Sequence, residues 1–355
     1  MTTLFRRAHS RASLLSRVGD LGQVAGVRVM TLSEGREAGV RIADVRTGSG
    51  LRYQVTLDRG MDISMAEFRG TPLAWRAPCG DVHPAYYDPA GIGWLRSFPG
   101  GLLTGCGITQ AGAPCTDEGE TPGLHGRLSH TPAEGVAAGT TWQGDEATVS
   151  VEGTMREYRL FGENMMVRRT IASSVGSSSL MLTDHVVNEG SKRTPLMMLY
   201  HINIGWPMLD ESSQLLLRCD TVPRDEEAAR GLDTARRFSG PVAGYKEQVF
   251  YHRPHPDEEG WATAALINRT LDLCLYVRFR TNELPRLAEW KMLGEKAYVL
   301  GLEPSNCATG GRAKERAAGT LQFLDPGAVR DFAVECGVLD DAKDIAAFVN
   351  THGLS

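Results

Sequence analysis

Lysine is scarce in this chain. Only six of its 38 basic residues are lysine, and the rest are arginine. The 43 acidic residues leave a net charge of −5, and no basic stripe interleaves with aromatics. Nucleic acid is therefore not an expected partner, because its phosphates demand such a stripe. No apolar run approaches the roughly 18 residues that suggest a membrane span. The opening "MTTLFRRAHSRASLLSRVGD" also lacks the roughly seven-residue apolar stretch of a signal peptide. The seven cysteines (Cys79, Cys106, Cys115, Cys219, Cys274, Cys307, Cys336) are odd in number and form no C-x-x-C pair. Reduced thiols and a cytoplasmic location are expected, not a disulfide framework.

Chemical motifs are missing too. There is no G-x-x-x-x-G-K-[ST] and no G-x-S-x-G. The glycines of "FPGGLLTGCG" sit in no βα unit, so they are not a dinucleotide fingerprint. His252 and His255 of "HRPH" are expected in a flexible prolyl loop, which cannot hold three or four ligands in a defined geometry. His125 and His130 are five apart, which suits neither one strand face nor one helix face. No metal and no cofactor is expected.

What the chain does have is period-two alternation. "LRYQVTLDRGMDI" sets Leu51, Tyr53, Val55 and Leu57 against Arg52, Gln54, Thr56 and Asp58. "REYRLFGENMMVRRTIAS" reads as two strands around Gly162-Glu163-Asn164. "SLMLTDHVVNEG", "LDLCLYVRFR", "KAYVLGLEP" and "VRDFAVECGVL" are further strands, punctuated by Gly, Pro, Asn and Asp. Helical signals are few: "SRASLLSRV", "RDEEAARGLDTARRF" and "DAKDIAAFVNTHG". None falls regularly between consecutive strands, which argues against a βαβ fold. The expectation is one antiparallel all-β domain over 1–355, two stacked sheets with helical segments at the margins, 1–20 and 340–355 among them.

Two strands carry polar groups where core residues would be expected. In "PLMMLYHINIGWP", His201 and Asn203 share a face with Met197, Leu199 and Gly205, while Tyr200, Ile202, Ile204 and Trp206 face the core. In "VLGLEPSN", Glu303 shares a face with Val299 and Gly301, opposite Leu300 and Leu302. A carboxylate there must be paired, or its pKa rises. Gly301 beside it leaves room for a ligand to approach. His125 lies between glycines in "GLHGRLSH", a tight loop that would present the ring. In "AEWKMLG", Lys291 is read as facing away from an apolar pair, Trp290 and Met292. Each of these residues has a plain structural reading as well: a satisfied core histidine, a strand-end carboxylate bound to an arginine, a turn histidine and a solvated lysine.

These pieces, in this order, resemble the aldose 1-epimerase (galactose mutarotase) superfamily over roughly residues 20 to 340. "LHG" at 124–126 resembles its sugar-binding histidine motif, "YHINIG" the strand of its acid histidine, and "LEPSN" the segment of its base glutamate. "LDRGMDI", "LRSFPGGLLTGCG", "EWKMLGE" and "YVLGLEPSN" look closest to a bacterial aldose-epimerase-like branch. The family's "GR-x-x-NR" arginine motif is absent, and Arg96 of "GWLRSFPGG" stands at its position. The resemblance implies a galactose-mutarotase-like β-supersandwich and an isomerase that opens and recloses a sugar ring by acid–base chemistry. It implies Glu303 as base and His201 as acid, with His125, Lys291, Arg96, Asn203, Arg59 and Asp62 binding the sugar. The partner implied is a small carbohydrate, and the chain is expected to be a monomer or homodimer. The alternatives are a carbohydrate-binding or sensor protein, or an enzyme of acidic or keto sugars, which Lys291 would favour.

Overall fold

The computed structural model describes residues 1–354. Every strand pairing in its sheets is antiparallel. The largest sheet has eight strands. In spatial order they are Ser213–Leu217, Trp261–Asn268, Leu273–Arg280, Val329–Leu339, Ser179–Asn188, Asn164–Ser174, Glu146–Tyr158 and Glu134–Gln143. A five-stranded sheet runs from Gly26–Thr31 to Thr71–Pro72. Its strand Leu51–Thr56 buries Leu51, Tyr53 and Val55, the face that alternation predicts.

The third large sheet positions the candidate site. Its six strands in chain order are β1 (Thr104–Cys106), β2 (Leu199–Gly205), β3 (Cys219–Pro223), β4 (Gln248–Pro254), β5 (Arg286–Leu293) and β6 (Tyr298–Ser305). Across the sheet they lie in the order β3-β4-β5-β6-β2-β1. Both faces of β2 and β6 are covered, because every residue of either strand is buried. Tyr200, Ile202, Ile204, Leu300 and Leu302 join the main core, while Met197 and Leu199 join a smaller cluster on the other face with Trp94, Phe98 and Cys307. Beneath the sheet, Arg169 donates to both oxygens of Asp184 at 2.7 and 2.8 Å, and Tyr200 donates to the same carboxylate at 2.7 Å.

The helices are marginal. Ser10 caps Arg11–Leu15 after a two-stranded hairpin over Thr2–Leu4 and Arg7–His9, so the first twenty residues are not simply helical. The expected helix at 224–238 is one turn, Glu226–Arg230, because Gly231 ends it. Asp341 caps Ala342–Thr351. A fourth helix, Arg312–Ala317, has no counterpart in the sequence reading. Among the described residues, no helix is long and apolar enough to cross a membrane.

Candidate active site

The central geometry follows from register. β2 and β6 pair so that Ile202 opposes Leu302 and Asn203 opposes Gly301. That register sets His201 opposite Glu303, two residues a hundred positions apart in the chain. Their side chains meet, with His201 Nε2 3.2 Å from Glu303 Oε1. Gly301 makes the meeting possible. A Cβ there would lie 3.0 Å from the Trp290 Cβ, 3.1 Å from Glu303 Oε1 and 3.2 Å from His201 Cε1.

His125 joins them from a loop. Its φ is 57° and that of Gly126 is 74°, so the chain turns sharply there. The Gly112 N–H donates to Nδ1 of His125 at 3.3 Å, which leaves the proton on Nε2 in the neutral ring. The His125 and His201 ring centroids are 5.7 Å apart. Phe98 and Trp290 flank His201 at 5.4 Å each, and Trp94 stands 4.7 Å from His125.

These groups line a cavity of about 480 Å³, walled also by Trp75, Leu95 and Leu124. At its mouth Glu247 accepts from Arg224 at 2.9 Å and from the Trp290 indole N–H at 2.8 Å. Arg224 also donates to Asp225 at 2.8 Å, so its charge is matched by two carboxylates. A larger cleft of about 790 Å³ lies between the N-terminal hairpin and Gly48–Arg52, and its facing charges are the Arg52–Glu67 ion pair at 3.7 Å.

Burial dominates the electrostatics of the cavity floor. It raises Glu303 to about 8, with Glu247 pushing the same way and Arg224 opposing. It lowers His201 to about 3, helped by the neighbouring His125 and opposed by Asn203. His125, desolvated in the cavity wall, falls to about 4. At neutral pH the resting floor therefore carries a carboxylic acid and neutral imidazoles.

Five expected sugar contacts are not in the cavity. Lys291 points to the reverse face of the sheet, where Nζ donates to the carbonyls of Thr234 and Arg237 at 2.7 Å each. The cause is the pairing of Trp290 with Gly301, which puts the indole on the cavity side and, by alternation, Lys291 on the other. Arg96 is exposed, 3.7 Å from Asp88, and its helical segment Gly93–Ser97 instead offers Trp94 and Leu95 to the cavity. Arg59 is buried and donates to the carbonyls of Val82 and Ser97. Asp62 is buried against the Gly105 N–H at 2.7 Å, with Arg169 3.7 Å away. Burial raises its carboxyl to about 7, against the opposing pull of Arg169. Asn203 is wholly buried behind His201, and its amide donates to the carbonyls of Gly101 and His201. The histidines of "HRPH" are not in a flexible loop either. His252 lies buried in β4, and only His255 is exposed.

Sequence reasoning missed the aromatic walls. Trp94, Phe98 and Trp290 all sit in segments singled out for other residues, and an apolar side chain carries no local sign of whether it lines a core or a recess. Trp75, Arg224 and Glu247 gave no local signal.

The sheets define a galactose mutarotase-like fold. The chain belongs to the family described as "Domain of unknown function (DUF4432)", whose profile matches residues 37–338. It is similar to the crystal structure of a candidate aldose 1-epimerase from Klebsiella pneumoniae subsp. pneumoniae, with a TM-score of 0.88 and 27% identity over 92% of this chain and 86% of that one. A galactose mutarotase-like protein from Clostridium acetobutylicum matches with a TM-score of 0.62 and 14% identity, over 90% and 100% of the two chains. Galactose 1-epimerase from Lactobacillus acidophilus NCFM matches with a TM-score of 0.57 and 12% identity, over 89% and 99%. At those lower identities the likeness is one of fold alone. No curated protein matches the sequence.

Proposed function

We propose that the chain is a carbohydrate mutarotase of the aldose 1-epimerase type, which interconverts the anomers of a small sugar by acid–base ring opening. One observation carries the reading: His201 and Glu303 touch on the floor of an aromatic-walled cavity, 3.2 Å apart. The likeness to the Klebsiella candidate supports it.

Anomerisation removes the proton of the C1 hydroxyl, adds one to the ring oxygen, lets C1 rotate and then reverses the transfer. One base and one acid suffice, and together they must hold one proton. Glu303 and His201 hold that proton between them over the window from about 3 to about 8. Transfer across their contact turns acid and neutral imidazole into carboxylate and imidazolium. Glu303 then takes the O1 proton and His201 protonates the ring oxygen. His125 donates from Nε2 to a sugar oxygen and fixes the pose. The indoles of Trp75, Trp94 and Trp290 pack on the sugar's C–H faces.

The substrate is a neutral sugar on this reading. Arg224 is the cavity's cation and is already bound to two carboxylates. Lys291, which would have favoured an acidic sugar, lies elsewhere.

The test is polarimetry across a panel of freshly dissolved aldoses and sugar acids. At least one neutral aldose should approach its equilibrium rotation faster with the protein present. Glu303→Gln should reduce that acceleration by at least about a hundredfold, the low end of what one positioned acid or base supplies. Acceleration of no aldose, or a fully active Glu303→Gln protein, overturns the proposal.

A further inference from the structure

The reverse face of the cavity sheet carries a second cluster that ring opening does not use. β3 is an edge strand, and Cys219 opens it, half-buried. Its Sγ lies 3.5 Å from Nδ1 of His252 and 3.3 Å from the hydroxyl of Thr221. Arg236 donates to the same sulfur at 3.2 Å. Behind it, His252 Nε2 lies 3.0 Å from Glu289 Oε2, and both side chains are fully buried. The other oxygen of Glu289 is sealed from solvent and takes no hydrogen bond. A buried carboxylate so poorly satisfied favours cations around it; it acts on the Lys291 ammonium and on His252, where it favours the imidazolium.

We propose that Cys219 is a nucleophilic thiolate and the chain's site of reversible oxidation by hydroperoxides.

The geometry orders the groups as a relay: sulfur, imidazole, carboxylate. Glu289 orients the ring and keeps it protonated, and the ring's other nitrogen lies 2.9 Å from the Thr221 hydroxyl and 3.5 Å from the sulfur. Thiolate is the reactive form, and adjacent histidinium and arginine favour it. Burial alone would raise the Cys219 thiol, but the hydrogen bond and charge of His252, the Thr221 hydroxyl and Arg236 bring it below its ordinary value. Burial likewise works against the His252 charge, but its contacts with Cys219 and Glu289 raise it to about 9. Burial raises Cys79, Cys106, Cys274, Cys307 and Cys336 instead, which leaves those thiols protonated.

In the reaction the thiolate attacks one peroxide oxygen. The S–O bond forms and the O–O bond breaks, so sulfur is oxidised by two electrons and the peroxide is reduced. The leaving hydroxide or alkoxide takes the proton of His252 and departs as water or alcohol. Cys219 is then a sulfenic acid. One small thiol displaces water from it to give a mixed disulfide. A second releases Cys219 and leaves with the first as a disulfide.

The test uses the full chain, folded, at pH 7. Timed labelling with limiting iodoacetamide is read at each cysteine by peptide mass spectrometry. A parallel sample takes hydrogen peroxide with dimedone, which traps sulfenic acid. Cys219 should label at least about tenfold faster than any other cysteine, because thiolate rather than thiol is the nucleophile, and should carry the dimedone adduct. His252→Gln should reduce the labelling rate of Cys219 about tenfold. If circular dichroism shows that variant unfolded, Arg236→Gln serves, with a smaller loss. Labelling of Cys219 no faster than the others, a dimedone adduct only elsewhere, or an undiminished rate in a folded variant overturns the proposal.

Discussion

Glu303 titrates far from its ordinary value of 4.5, and that has a measurable sign. Its pKa is raised to about 8 by burial, so the native state keeps a proton that the unfolded chain gives up. The stability this contributes is complete below about 4.5 and lost as pH rises through about 8. His201 runs the other way: lowered to about 3, it contributes stability above 6.5 that is lost as pH falls toward 3. Between pH 6.5 and 9 only Glu303 of the two changes. The melting temperature should therefore fall over that range in the wild type and fall less in Glu303→Gln, which has nothing to ionise. Equal slopes would mean the carboxyl is already ionised at neutral pH. The same titration sets the rate: kcat/KM, corrected for spontaneous mutarotation, should decline above about pH 8, where the pair loses its only proton. A residue on the reverse face gives the opposite pattern. Lys291→Met strands two carbonyls and should cost about 1–3 kcal/mol. Thermal melts should show that loss, while the anomerisation rate stays within about twofold.

At the scale of the strand, β2 and β6 were legible and β5 was not. In β2 and β6 the apolar side chains of one face enter the main core, so period two places His201 and Glu303 correctly on the other. In β5 the same rule inverts the answer. Trp290 is apolar yet faces the cavity, and Lys291 is charged yet buried, held by two carbonyls and 5.3 Å from the Phe238 ring. A sheet covered on both faces gives apolar residues two places to go, and periodicity cannot tell a core from an aromatic wall. Arg59 and Asp62 misled for a related reason: buried charges that find partners inside the protein look, in sequence, like charges kept for a ligand. Helix Arg312–Ala317 is a single short turn after Gly311, too short to show a period. Gly301 tests the strand argument. Gly301→Val should place a branched side chain against Trp290, His201 and Glu303, given the 3.0–3.2 Å already found for a bare Cβ. Anomerisation should fall more than about tenfold, because misplacement by about an ångström costs up to a hundredfold. Retained rate with an altered melt would show that the space beside Gly301 is not used.

Across the whole molecule, the site and the C-terminal helix are on different sheets. The C-terminal helix packs Ile345 and Phe348 against Ala265, Ile267 and Tyr276 of the eight-stranded sheet. The Phe348 ring lies tilted 4.7 Å from Tyr276 and 4.4 Å from His352. Phe348→Ala should cost about 1–3 kcal/mol of stability and leave the anomerisation rate unchanged, as melts and polarimetry on one preparation would show. The all-β class was legible at this scale because alternation runs through most segments. The mouth of the cavity was not, because Arg224 follows the end of β3 and Glu247 precedes the start of β4, and they meet only when those two strands pair.

The touching acid and base have one more consequence. His201 and Glu303 can pass their proton directly across 3.2 Å, so neither protonation state is a dead end. On the proposed mechanism the pair keeps no memory of the anomer last released. It needs no recharging step before meeting either form, and each anomer is at once a substrate and a competitive inhibitor of the other's turnover.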